Sequence, residues 1–222
     1  MKIFNKKNRV IISTILLLAI LIHQLIKQHT YKNTYEPILL KNPSRIVLHR
    51  IENSKIKKSI ESIQFSYSFW LYLDNVSGSE HWSDNYYTDK NILKKGDSPI
   101  ISYNPKHNIL KVGMKTKTDN ENIEVFHLDN IKLQQWTHIV LCVDNRNFDV
   151  YINGNLYKSY KLGNVPILNN ESLILGSRNI MNGKISYVRY FNTCLNRERV
   201  MKVYKDSKSK NPTPSKIWWV RS

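Results

Sequence analysis

The chain has 222 residues, with 34 lysines and arginines against 17 aspartates and glutamates for a formal charge of +17, and it is 41% hydrophobic and 11% aromatic. That balance excludes wholesale disorder, collagen and coiled coil, and two cysteines exclude a disulfide scaffold or a four-thiolate zinc site. Lys, Asn and Ile number 25, 25 and 26 while Ala occurs once, the bias of an AT-rich genome, so part of the basic excess says nothing about an acidic partner. The charge also sits at the ends. Residues 1–26 and 207–222 each hold four cations and no anion, whereas 45–206 holds 23 cations against 16 anions. With the charge on the tails and no aromatic-basic motif of a nucleic-acid module, no nucleic-acid partner is expected.

After a basic segment over residues 1–9 (Lys2, Lys6, Lys7, Arg9), residues 10–26 read VIISTILLLAILIHQLI without a formal charge. As a helix this run is about 25 Å long, near the lower limit for a hydrocarbon core of about 30 Å. It predicts a transmembrane signal-anchor helix over 10–26. A cleaved signal peptide also suits a basic start and an apolar run, but the following HQLIKQHTYKNTY holds no small-x-small cleavage site; a buried soluble helix is the third reading. The N-terminal cations outweigh Lys27, Lys32 and Lys41, which favours a cytoplasmic N-terminus and an extracytoplasmic remainder. An exported domain could use the sequons at Asn75 and Asn170, although an Asn-rich chain carries two by chance. Residues 27–44, polar and holding Pro37 and Pro43, read as a stalk.

Beyond the stalk the apolar period shortens to two. The predicted strands are 45–51, 64–73, 100–103, 108–114, 122–128, 136–143, 148–152, 156–160, 172–176 and 183–191. Turn signals separate them at Lys95-Gly96-Asp97, Asn104-Pro105 and Asn182-Gly183, and Asn153-Gly154 marks a type I′ hairpin, whose two central positions need a positive φ. One helix is predicted, over 195–205, with Leu195, Val200, Val203 and Tyr204 on one face and Asn192 or Thr193 beginning the turn before it. The basic tail 207–222 carries Trp218 and Trp219 and would dock beside the first strand or lie at a membrane interface. Many short strands with a single helix indicate an all-β sandwich.

The segments FSYSFWLYLDN, NILKVGM, WTHIVLCVDNRNFDVYINGNLYKSYKL, SLILGS and MNGKISYVRYFNTCLNRERVMKVY, in this order, resemble the laminin-G-like and pentraxin-like branch of the concanavalin A-like lectin/glucanase superfamily over residues 45–206. The resemblance implies a jelly roll of two antiparallel sheets, one convex and one concave, closed by a short C-terminal helix, with binding sites on the concave face or its rim loops. The AT-rich composition and the plan of one anchor and one module resemble membrane proteins of large DNA viruses, which implies a place on a virion.

Relatives that hydrolyse glucans carry acidic residues at alternating positions of one strand, because the two carboxyl groups must share a face about 5 to 5.5 Å apart. This chain has no such strand, and Glu121 and Glu124, three apart, would point to opposite faces, so the chain is read as not an enzyme. No G-x-S-x-G, H-E-x-x-H or phosphate-cradling glycine loop is present. Many relatives bind calcium through clustered oxygens, and loops 74–89, 144–147 and 169–171 hold such atoms. The late loop 176–182, however, carries Arg178 in place of an acidic cluster. Solvated turn residues are the ordinary reading, so no cofactor is expected, with calcium left open. His138 is expected to pack or hydrogen-bond. The resemblance implies a cysteine partner for Cys142 in the FSYSFWLYL strand, and none is there; Cys194 is the other option, and two free thiols are expected.

The loop 77–91, SGSEHWSDNYYTDKN, alternates Trp82, Tyr86 and Tyr87 with Asp84, Asn85 and Asp89. Aromatic faces stack on sugar C–H surfaces while carboxylates and amides bond hydroxyls. The expected ligand-binding residues are therefore Trp82, Asp84, Asn85, Tyr86 and Tyr87, with a cap folded on the sandwich as the alternative. The sequence thus reads as a non-catalytic, membrane-anchored, lectin-like module for glycans or glycoproteins. Its rivals are a structural membrane or virion protein whose sandwich mediates assembly, and an atypical glycoside hydrolase.

Overall fold

The computed structural model describes residues 6–32, 36–59, 62–74, 88–117, 123–176 and 181–208. Two compact units divide the chain between Tyr35 and Glu36. The first is helix α1, Lys6–Lys32, about 40 Å long. It outlasts the predicted run because no Gly or Pro intervenes before Pro37. Thr14 Oγ1 donates to the Ile11 carbonyl at 2.8 Å, which satisfies the hydroxyl within the helix. Residues 11–25 are all exposed, and consecutive Ile15, Leu16, Leu17 and Leu18 show 60–64% exposure, so apolar side chains point in every direction around the axis. Among the described residues no helix is long and apolar enough to cross a membrane. The span expected over 10–26 is thus not found among the described residues.

The second unit is an all-β jelly-roll sandwich. In chain order its elements are β1 Ile38–Leu40, β2 Ser44–Ile46, β3 His49–Ile51, β4 Gln64–Leu73, β5 Lys90–Lys95, β6 Ile100–Asn104, β7 Ile109–Lys115, β8 Ile123–Asp129, β9 Trp136–Asp144, β10 Asn147–Ile152, β11 Asn155–Lys161, β12 Leu173–Leu175, β13 Met181–Phe191 and α2 Arg197–Lys208. One sheet runs β1-β13-β4-β9-β10-β11, with β2 also on β13; the other runs β3-β12-β5-β6-β7-β8.

Most predicted strands lie within two residues of these bounds, β5 was not predicted, and four further features differ. The predicted stalk is divided, since α1 continues to Lys32 and Ile38–Leu40 pairs with β13. The predicted strand 45–51 breaks at the exposed Val47 and Leu48, where the chain passes from the seven-stranded to the six-stranded sheet. Asn182-Gly183, read as a turn, lies inside β13. The helix starts at Arg197, two residues later than predicted, because Asn196 caps it, its Oδ1 accepting the Arg199 N–H at 3.0 Å, and the chain bends at Asn192 and Thr193 before it. The Asn153-Gly154 turn behaves as expected, with φ of 51° and 82° between β10 and β11.

The core follows the two-residue alternation. Phe65, Phe69, Leu71 and Leu73 of β4, Ile139, Leu141 and Val143 of β9, and Phe148 and Val150 of β10 are at most 3% exposed, as are Ile101, Leu110, Val112, Met114 and Leu128 of the second sheet. Phe126 of β8 meets Phe148 across the sandwich at 5.5 Å. The opposite side of the seven-stranded sheet is buried too. Val140, Cys142, Tyr151 and Phe191 form one apolar cluster with Leu195, Val200 and Val203 from the α2 region. Trp70 stacks on Tyr204 and donates through Nε1 to Ser207 Oγ at 2.9 Å. The hairpin tip is pressed against the same helix, since a Cβ on Gly154 would lie 3.1 Å from Met201 Sδ and Tyr204 Cδ1.

Candidate ligand-binding face

The outer face of the six-stranded sheet has no described element packed over it, and its register sorts the side chains into rows. Asn91, Ser102, Lys111 and His127 are cross-strand neighbours on β5, β6, β7 and β8. The row beside it runs Arg50, Ile174, Lys94, Ile100, Gly113 and Val125. A hydrogen-bonding row therefore lies against a partly apolar one, with Val125 and Ile123 50% and 42% exposed. Gly113, lacking a side chain, lets the Ile123 methyl settle over the strand.

Asp89 stands at the head of the polar row. Its Oδ1 accepts from Asn104 Nδ2 and its Oδ2 from Lys111 Nζ, each at 2.8 Å. Burial alone would raise this carboxyl, but the hydrogen bonds from Lys111 and Asn104, with the charges of Lys111 and His127, hold it below its ordinary value. The cluster presents an anion, a cation and amide and hydroxyl groups, which is the chemistry that matches the hydroxyls of a polar ligand.

The five residues expected to bind ligand, Trp82, Asp84, Asn85, Tyr86 and Tyr87, lie outside the described residues. The ends of their loop are described. Asp74 N donates to the Asn182 carbonyl of β13 at 3.1 Å, and Asp89 joins the cluster with Asn104 and Lys111. The loop therefore leaves the seven-stranded sheet and returns at the head of the polar row. Ser102, Asn104, Lys111 and His127 were missed by the sequence reading. Their signal was partial, with polar residues two apart at Ser102 and Asn104 in ISYN and at His127 and Asp129 in IEVFHLD, while Lys111 in ILKVGMK stands between Ile109 and Gly113 at the same spacing.

Two of the three calcium-type loops, 144–147 and 169–171, use oxygens internally, and residues 75–87 of the third lie outside the described residues. The carbonyls of Asn169 and Glu171 and Asn169 Oδ1 all accept from Lys95 Nζ, the Asn169 contacts at 3.2 and 3.1 Å, so an ammonium from β5 sits where these atoms converge. Burial draws this ammonium down from its ordinary value, partly offset by the Glu171 charge. Asn169 Nδ2 returns a bond to the Lys95 carbonyl at 2.9 Å, packed so tightly on Gly96 (φ 54°) that any Cβ there would collide with it. Asp144 Oδ1 accepts from Gln64 Nε2 at 2.9 Å and Asn145 Nδ2 at 3.1 Å. Among the described residues no group of three or more His, Cys, Asp or Glu could hold a metal ion.

Glu124, considered in the sequence as half of a carboxylate pair, accepts from Thr116 Oγ1 at 2.8 Å and from Gly163 N at 2.9 Å, which fixes the β8 edge to the loop after β11. His138 is buried beneath α2. Its Nε2 shares a 2.9 Å hydrogen bond with Ser68 Oγ, and its Nδ1 has no hydrogen-bond partner. Burial, reinforced by the Arg189 charge, pulls it down to about 3, so it is a neutral packing group.

Residues 52–201 match a family profile of the laminin G type described as the concanavalin A-like lectin/glucanases superfamily. The chain belongs to this superfamily. No curated protein matches the sequence. Among solved structures it is similar to the receptor binding domain of botulinum neurotoxin mosaic serotype C/D, with 12% identity over 78% of this chain and 46% of that chain and a TM-score of 0.58. It is also similar to the binding domain of botulinum neurotoxin serotype G, with 16% identity over 79% and 43% and a TM-score of 0.55. At such identities the likeness shows the fold alone, and the chain spans less than half the length of these structures.

Proposed function

We propose that the chain is a non-catalytic recognition module that binds glycans or glycoproteins on the outer face of the six-stranded sheet, completed by the loop holding Trp82, Tyr86 and Tyr87. The observation that carries this reading is the polar row from Asn91 to His127, headed by the Asp89 cluster where that loop returns. The row supplies groups for hydroxyls, the neighbouring Ile100 and Val125 supply apolar contact, and the loop supplies aromatic faces. The receptor binding named for the neurotoxin domains of the same fold agrees with such a use. We further propose that α1 holds the module at a membrane, with the N-terminus cytoplasmic and the sandwich outside it or on a virion surface. A helix apolar all round needs an apolar surrounding.

A glycan array probed with the full chain in mild detergent, with and without calcium, tests the reading. Selective binding that weakens at least tenfold in both Trp82→Ala and Lys111→Ala supports it. A blank array, or binding indifferent to both substitutions, overturns it. Alkaline carbonate extraction of expressing cells should leave the full chain in the membrane pellet, and its release into the supernatant would remove the anchor.

A further inference from the structure

The covered face of the seven-stranded sheet holds both cysteines, and the proposed function uses neither. Cys142 on β9 is 1% exposed, while Cys194, in the segment joining β13 to α2, is partly exposed. The residue opposite Cys142 on β4 is Ser66, a hydroxyl, and this hydroxyl grips the chain on both sides of Cys194. Ser66 Oγ donates to the Thr193 carbonyl at 2.8 Å and accepts from Leu195 N at 3.1 Å. The Ser66 hydroxyl thus ties the backbone on both sides of Cys194 to the residue paired with Cys142. Cys194 packs on the same apolar cluster as Cys142.

We propose that Cys142 and Cys194 form an intrachain disulfide that staples the β13–α2 connection to β9 when the chain meets a disulfide oxidant. The partly exposed Cys194 is the sulfur such an oxidant reaches. After losing its proton to water, its thiolate attacks one oxidant sulfur and releases one thiolate, leaving a mixed disulfide. The Cys142 thiolate then attacks Cys194 Sγ, and the second oxidant sulfur departs. Two protein thiols lose two electrons, the oxidant disulfide gains them, and the two departing thiolates take up the two protons. The staple closes a loop containing β10 to β13 and secures the strand from which α2 springs. A closed loop of that length restricts the unfolded chain and raises the melting temperature.

The test uses the full chain in mild detergent, refolded once in a buffer of oxidised and reduced glutathione and once in reductant. Free thiols are alkylated under denaturing conditions, and non-reduced digests are read by mass spectrometry. The expected result is a peptide pair joining Cys142 to Cys194, an intact mass about 2 Da lower for the two hydrogens lost, and a melting temperature about 10 °C above the reduced chain. Cys194→Ser should show neither the mass change nor the reductant-dependent shift. Full alkylation of both thiols after oxidative refolding, or a linkage found only between chains, overturns the proposal. Because the mass readout uses the unaltered chain, misfolding of the variant leaves the outcome decidable.

Discussion

The two sheets build their outer faces by the same alternation and end in opposite states. On the seven-stranded sheet the outward positions are Trp70, His138, Val140, Cys142, Tyr151 and Phe191, all at most 6% exposed beneath the α2 segment. On the six-stranded sheet they are Asn91, Ser102, Lys111 and His127, beside Ile100 and Val125; His127 and Val125 are exposed, Asn91, Lys111 and Ile100 are half-buried, and of these six Ser102 alone is buried, at 7%. An aromatic and aliphatic face is costly in water and needs a cover, whereas a row of amide, hydroxyl and charged groups tolerates it. The contrast separates stability from recognition: substitutions under the helix act on the fold, and substitutions on the open face act on what the fold binds.

The sharpest way to break this contrast is Trp70→Ala. The indole stacks on Tyr204, lies against His138 with ring centroids 5.0 Å apart, and donates to Ser207. Truncating a buried tryptophan removes about 3 to 5 kcal/mol of stability, which urea denaturation should register as a large fall in midpoint. A loss under about 1 kcal/mol would mean that the helix covers the face without contributing to the fold.

Next in size is a pH effect under the same helix. His138 is held neutral down to about 3, whereas an unfolded histidine protonates near 6.5. Its folded pKa is the lower of the two, so its contribution is complete above pH 6.5 and is lost as pH falls from there toward 3. The slope is about 1.4 kcal/mol per pH unit, or about 2 kcal/mol by pH 5. His138→Gln keeps a hydrogen-bonding group near Ser68 and removes the titration, so its stability should fall less between pH 7 and 5. Equal slopes for the two proteins would place the acid sensitivity elsewhere.

The covered face and the core were legible in the sequence, because FSYSFWLYL and WTHIVLCV are apolar at nearly every position and a strand buried on both sides must be. The hairpin was legible because Asn153-Gly154 satisfies its backbone. Strand β5 was not, since KNILKK hides its burial behind lysines: Lys90 and Lys95 are only 7% and 5% exposed, and Lys95 is tolerated by the carbonyls of a loop 74 residues away. The open face was missed for a related reason. Lys111, Asn104 and Asp89 are ordinary surface residues one at a time, and only the register of three strands and the end of a long loop bring them into one cluster.

The smallest expected effect on stability comes from that cluster. Lys111→Ala removes the 2.8 Å ion pair with Asp89, whose partners retain 29% and 39% side-chain exposure. Such a pair is worth about 0 to 1 kcal/mol, and Asn104 still donates to the carboxylate, so the denaturation midpoint should move by no more than about 0.5 kcal/mol equivalent. Binding is expected to respond differently. A hydrogen bond from a charged group to a ligand contributes about 1.5 to 3 kcal/mol, and 1.4 kcal/mol is a factor of ten, so affinity should fall tenfold or more. Raising salt should weaken the unaltered protein's binding toward that of the variant, because screening acts on the charge that the substitution removes. A melting temperature lowered by many degrees in Lys111→Ala would show instead that this lysine holds the sheet together. The open face would then resemble the covered one in what its residues do.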